Sequence, residues 1–462
     1  MLILVVPYLA VFALIAFELR GALARRAIRT PDMPAWLWTI GIVAMYVEQI
    51  ALIRFGATHA TPLPPWRLTM PIPVLYIGTW NADWVSASFL AAGALQSYAL
   101  LALYRSNVSR TLAGAGLAVL LGISLAAPAL SSFDLYGYVH NGILGFASWE
   151  PPLVRFPGDF HVIDLWFGTK PTYSLYGPLW LVIVQLVTVA PATLLGKIMA
   201  LRIFSACLYL ALLVAMRAAG LPRRMLVVTA LNPGLMMQFV ANGHNDLIAI
   251  VLIAVAAALV RRNPVAAFGL IAVAGAVKLP YVVLGLPILA SIAPASRRYL
   301  GCAAAVVAAL GVSWFGGGAP YWHVLTRHAF ISPLQNALHV VPVVCALAAI
   351  AVAVAGGRRL ISAVWLLPTL GAFGLPLIFP WYLIWGLPYA LARHRILGAL
   401  LVGFPFAAAL VLPEFTRVWT LLLVFPMIVI MAYRTPSELL HRFDGRLREG
   451  APSSNAGSAA AS

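Results

Sequence analysis

From Leu2 to Met431 the chain repeats one pattern, an apolar run of roughly 14 to 20 residues followed by a short polar break. Each run is close to what a helix needs to cross a hydrocarbon core of about 30 Å, and the succession predicts about 13 to 15 crossings. Inside that core every backbone amide needs an internal partner, and no period-2 alternation of the barrel-strand kind is present, so the crossings are expected to be helices. The expected fold is all-α, a polytopic transmembrane helical bundle. Residues 1–433 read as a single membrane domain, with outer loops at 131–175 and 316–339. Residues 434–462, Ala/Ser/Gly-rich from Gly450, read as a cytoplasmic, largely disordered tail. The apolar start at Leu2 lacks a basic leader and a small-residue cleavage site, so it reads as a first helix rather than a removed signal. No internal repeat is visible.

Composition agrees with a membrane solvent. Hydrophobic residues make up 63% of the chain and charged ones 9%, with a mean hydropathy of +0.95, whereas an ordinary soluble globule carries roughly 25% charge. The net charge of +17 would suit nucleic acid only if it formed a stripe with interleaved aromatics. Instead the arginines cluster at the ends of apolar runs, as topological anchors do. Arg105/Arg110, Arg217/Arg223/Arg224, Arg261/Arg262, Arg297/Arg298, Arg358/Arg359 and Arg393/Arg395 mark cytoplasmic loops, and single bases such as Arg155, Lys170, Lys278 and Arg327 fall opposite. Two full helices between Gly177 and Met216 would invert the Arg217 cluster, so one crossing plus a re-entrant or surface helix is expected there, with Lys197 and Arg202 unplaced. Cys207, Cys302 and Cys345 all lie in apolar runs, far from metal-ligand spacing, and read as packing residues.

This topology puts five polar motifs on one membrane face. In Ser131-Ser132-Phe133-Asp134-Leu135-Tyr136-Gly137-Tyr138-Val139-His140-Asn141, a helical segment would align Asp134, Tyr138 and Asn141 on one face at i, i+4 and i+7, placing a carboxylate as a general base. A helix-capping carboxylate, or one paired with Arg155, is the alternative. Tyr176-Gly177-Pro178 follows. Asn242-Gly243-His244-Asn245-Asp246 breaks an apolar run, and one helical turn would let Asn242 and Asp246 face one cavity, unless the stretch is only a polar inter-helix turn. Lys278, one of three lysines, stands in Ala276-Val277-Lys278-Leu279-Pro280-Tyr281, where a lone ammonium invites a phosphate or snorkels to headgroups. Pro380-Trp381-Tyr382-Leu383-Ile384-Trp385 fits an aromatic belt equally well. The loop 316–339 adds Tyr321, Trp322, His323, Arg327 and His328, donors and stacking faces that suit a sugar or phosphate, or simply a solvated connector.

Taken in order, these motifs resemble the GT-C superfamily of polytopic glycosyltransferases, in particular its bacterial polyprenol-phosphate mannosyltransferase branch. Ser131 to Tyr138 looks like the family's catalytic first-loop motif, Ser174 to Trp180 like its Tyr-Gly-Pro element, and Asn242 to Asp246 like its Asn-x-His-Asn-Asp turn. Ala276 to Tyr281 looks like its Lys-Leu-Pro hinge and Pro380-Trp381-Tyr382 like its Pro-Trp-Tyr turn. Phe133-Asp134 lacks the second acidic neighbour of some members, and no large soluble C-terminal domain follows. The resemblance implies transfer of a hexose, mannose foremost, from a polyprenyl-phosphate sugar to a glycan or glycolipid hydroxyl on the extracytoplasmic face of a bacterial cytoplasmic membrane, with inversion. Asp134 would be the catalytic base; Lys278, His244 and Arg327 would bind the donor phosphate. Tyr136, Tyr138, Asn141, Tyr176, Asn242, Asn245, Asp246, Trp381 and Tyr382 would bind sugar and acceptor. The expected partners are that donor, that acceptor and membrane lipids, with no nucleic acid; no cofactor or metal site is expected, a divalent ion being left open. A lipid or solute transporter is the alternative, and it predicts polar residues at both membrane faces.

Overall fold

The computed structural model describes residues 33–59, 71, 74–75, 83–130, 132–167, 173–260, 262–285, 318–328, 384–385 and 395–410. Among these residues the secondary structure is helical apart from a parallel two-residue pairing of Val74–Leu75 with Ala129–Leu130. Ser131, Trp381, Tyr382, the Arg327 side chain, Cys302, Cys345 and the tail 434–462 lie outside the described residues.

Helices α1 (Ala35–His59), α2 (Asp83–Arg105) and α3 (Arg110–Ala126) form one layer of the bundle. Ser109, the N-cap of α3, accepts from the Leu112 amide and fixes where that helix starts. The interior of this layer is apolar but stitched by a few polar contacts. Gln96 Nε2 donates to Gln49 Oε1 at 3.0 Å, Gln49 Nε2 donates to the Phe89 carbonyl at 3.2 Å, and the Tyr46 and Ser124 hydroxyls meet at 3.0 Å. Side-chain hydrogen bonds between apolar helices are the glue available where water is absent.

After α3 come α4 (Asp134–Leu144), two short 3₁₀ turns and α5 (His161–Phe167), so the described part of the expected loop 131–175 is largely folded. The stretch 177–216 divides into α6 (Pro178–Thr188) and α7 (Leu194–Ala218), one short helix and one long one. Cys207 on α7 is exposed, not packed inside as its apolar run suggested. Next come α8 (Arg223–Ala230) and α9 (Pro233–Met236), the latter continuing into a π-turn at Met237–Ala241. α8 and the segment Pro233–Ala241 meet at a bend of 53°, where Pro233 lacks an amide to donate and the Asn232 side chain caps the new helix. Helices α10 (Asp246–Leu259) and α11 (Pro264–Val277) form a tight hairpin, and α12 (Gly318–His328) and α13 (Arg395–Leu410) complete the described elements.

Among the described residues two helices, α1 through Ala35–Leu52 and α7, are long and apolar enough to cross a membrane, and the bent pair α8–Ala241 makes a third if it is one broken span rather than a re-entrant loop. Helices α3, α6, α10 and α11 are apolar but shorter. Two arginine-marked loops meet at one end: Arg223 Nη2 donates to the Val108 carbonyl at 2.5 Å. From there α3 carries the chain through 17 residues, about 26 Å at 1.5 Å per residue, to the end where α4 begins.

Candidate active site

Asp134 is the first residue of α4, where the unpaired amides of a helix start favour negative charge. Ser132 Oγ accepts from its amide at 3.2 Å and sets the turn. Its carboxylate receives His244 Nδ1–H at Oδ2 over 2.9 Å and the Tyr138 hydroxyl at 3.4 Å. The His244 side chain is wholly buried while that of Asp134 is 24% exposed, so the imidazole stands behind the carboxylate and the carboxylate faces outward. Burial alone would raise the Asp134 carboxyl; the hydrogen bond and charge of His244, then Lys278 and Tyr138, outweigh it and hold it below the ordinary aspartate range. Burial, with Tyr176 and Asp134 nearby, pushes the Tyr138 phenol well above its ordinary value, so it remains a hydroxyl donor. Arg155, the alternative partner for Asp134, is exposed, and no ion pair between them appears among the described residues.

The turn carrying His244 is made by Gly243, at φ 67°, a left-handed conformation that glycine adopts without steric cost. A Cβ there would also lie 2.4 Å from Leu135 Cδ2, so glycine lets the turn sit directly on α4. The same turn breaks the helical register that would have aligned Asn242 with Asp246. Asn242 donates back to Gln238 Oε1 at 3.2 Å. The Asn245 amide N–H donates to the Tyr138 hydroxyl at 3.4 Å, and both side-chain polar atoms of Asn245 are buried with no protein partner.

Asp246 opens α10 and Lys278 closes α11, so the hairpin brings them together. Asp246 Oδ1 receives Lys278 Nζ, Tyr281 Oη–H and Trp385 Nε1–H, each at 2.9 Å. Lys278 is therefore not a lone ammonium, and Asp246 anchors it. The Lys278 Nζ also lies 5.7 Å from the Tyr176 ring centre and 5.2 Å from that of Trp385, cation–π distances that steady the ammonium. Gly177 closes the arrangement: its amide donates to the Val277 carbonyl at 2.9 Å, and a Cβ would stand 2.2 Å from the Ala276 carbonyl oxygen.

Of the residues singled out in the sequence, Asp134, Tyr138, Tyr176, His244, Asn245, Asp246 and Lys278 converge. His244, expected at the donor phosphate, is instead bound to Asp134. Tyr136 lies on the other side of α4, completely buried in a hydrophobic cluster. Asn141 is buried one turn further along, its amide 3.5 Å from Ser174 Oγ. Trp149, outside every motif singled out in the sequence, donates from Nε1 to the Tyr176 carbonyl at 3.1 Å. Three others lay inside those motifs with no role expected of them: Trp180 packs edge-on against Tyr138 at 4.7 Å between ring centres, and Tyr281 and Trp385 hold Asp246.

A carboxylate held ionised, an ammonium fixed beside aromatic faces and an unsatisfied amide together suit deprotonation of a hydroxyl next to an anionic leaving group. A search of curated proteins and a search of solved structures each returned no match. Residues 38–294, more than half of the chain, match the model of the MptA_B family, described as alpha-(1->6)-mannopyranosyltransferase, N-terminal domain, and the chain belongs to this GT-C type family of membrane mannosyltransferases.

Proposed function

We propose that the chain takes mannose from a polyprenyl-phosphate carrier and transfers it, with inversion, to a hydroxyl of a glycan or glycolipid acceptor on the extracytoplasmic face of a bacterial cytoplasmic membrane. The observation that carries this reading is the outward-facing Asp134 carboxylate, backed by His244 at 2.9 Å, in one constellation with Lys278. The acceptor oxygen attacks the anomeric carbon as its proton passes to Asp134; the bond from that carbon to the phosphate oxygen breaks, and the lipid phosphate leaves. Lys278 meets the charge that develops on the phosphate, and Asp246 holds its ammonium in place. Tyr138, Tyr176 and the Asn245 amide receive sugar hydroxyls, since a buried amide without a protein partner is satisfied by a bound polar group.

An alpha-linked product, as the family's description has it, formed by a single displacement requires a donor of the opposite, beta, configuration. The donor's polyprenyl tail lies among the apolar helices, which removes the need for a nucleotide site. The test is transfer of radiolabel from polyprenyl-phosphate mannose to endogenous acceptors in membranes carrying the native chain or Asp134→Asn. At equal protein level the variant should lose about 100-fold or more of the native-dependent product. Undiminished product from the variant removes Asp134 as base; substrate movement into donor-free liposomes would favour the transporter.

A further inference from the structure

Arg202, in the first half of α7, has no part in the site described above. It is completely buried, and no carboxylate pairs with it among the described ion pairs. Its guanidinium is instead spent on backbone oxygens. Nη1 donates to the Leu125 carbonyl at 2.8 Å and the Ala127 carbonyl at 2.7 Å, and Nη2 to the Ala241 carbonyl at 2.5 Å. These oxygens belong to two different chain segments at the point where each stops being helical: the C-terminal end of α3 and the end of the π-turn Met237–Ala241. The exposed carbonyls of a helix end carry partial negative charge, which is the counter-charge a buried cation needs. Burying an unpaired cation in an apolar bundle is otherwise costly, so packing alone would favour a leucine or methionine here.

Both segments lead directly to the reacting pair. Asp134 follows the first exit seven residues after Ala127, and His244 follows the second within three residues. Their contact spans 110 residues of sequence, and Arg202 is bonded to both exits. We infer that Arg202 is a positioning residue for the Asp134–His244 pair, a fork that sets the distance between the base and its imidazole by fixing the two helix ends that deliver them. Lysine cannot serve in its place, because one ammonium lacks the planar fork that reaches carbonyls on two segments.

This inference rests on Asp134 acting as the base, and the experiment separates the two. Arg202→Lys, Arg202→Met, His244→Ala and Asp134→Asn are purified in lipid nanodiscs, and mannose transfer from polyprenyl-phosphate mannose is followed as kcat and KM across pH, per folded molecule. The expected result is a kcat lower by roughly 10- to 100-fold in Arg202→Lys, as a displacement near 1 Å produces, with little change in KM. The acidic limb of its pH profile moves to higher pH, as in His244→Ala, and Arg202→Lys/His244→Ala is no worse than His244→Ala alone. A folded Arg202→Lys with native kcat and native acidic limb overturns the inference; should Arg202→Met fail to fold, Arg202→Lys alone decides. Full activity in Asp134→Asn overturns the base assignment and the inference with it.

Discussion

At the scale of single residues, the proposed mechanism makes the Asp134–His244 contact the control on when the site is competent. The lowered Asp134 carboxyl is ionised throughout the neutral range, and the stability it contributes is present above the ordinary aspartate value of roughly 4 and lost as pH falls through the lower folded value. Replacing His244 by Ala removes the two largest lowering influences and leaves burial, which raises the carboxyl, opposed only by the smaller influences of Lys278 and Tyr138. The acidic limb of the transfer rate should therefore move to higher pH in His244→Ala, with activity near neutral pH reduced less than in Asp134→Asn. A pH–rate profile checks this; an unmoved limb would show that the imidazole does not set the carboxylate. Spacing made the Tyr138 hydroxyl legible as a neighbour of Asp134, since both lie on one short helix. It could not reveal His244 as a neighbour of Asp134, since it arrives on a turn distant in sequence, and it misaligned Asn242 because a single left-handed glycine cancels helical register. Lys278 was recognisable as an unusual charge, but its three-donor partner Asp246 depends on a hairpin closing.

At the scale of elements, the site is assembled where helices begin and end. Asp134 and Asp246 start α4 and α10, and Lys278 is the extended residue that ends α11. Polar breaks in apolar runs predicted those ends well, because a helix crossing lipid has few other places for charge. The broken span at Pro233 was not anticipated, although Asn232-Pro233-Gly234 interrupts its apolar run; the bend comes from a missing amide and an asparagine cap. The joint between the Tyr-Gly-Pro and Lys-Leu-Pro segments relies on contact without a side chain. Gly177→Ala should push the Ala276 carbonyl away and destabilise the fold by about 1–3 kcal/mol. Thermal unfolding in detergent would register the loss, while Gly114→Ala, where nothing lies within 4 Å of the added carbon, serves as the matched control.

At the scale of the molecule, two of the arginine-marked loops meet at one end of α3 and the proposed reacting groups gather at the other. On the proposed orientation, a cysteine replacing Leu153, which is 81% exposed, reacts with a membrane-impermeant maleimide in intact cells. One replacing Arg110 reacts only after the membrane is opened. The reverse pattern in a background without native cysteines would invert the orientation. The α10–α11 hairpin adds a constraint of depth. Each arm has 14 residues, about 21 Å, against a hydrocarbon core of about 30 Å. On the proposed orientation, with Arg262 at the inner boundary, the Asp246–Lys278 tip would stand about 9 Å below the outer one. The proposed chemistry would then take place beneath the waterline, and the cost of drawing the proposed donor's phosphate down to it would depend on how thick the surrounding bilayer is. Lipid composition becomes a kinetic variable: turnover in vesicles of shorter acyl chains should exceed that in longer ones, and the host membrane's thickness tunes the rate without touching a single residue.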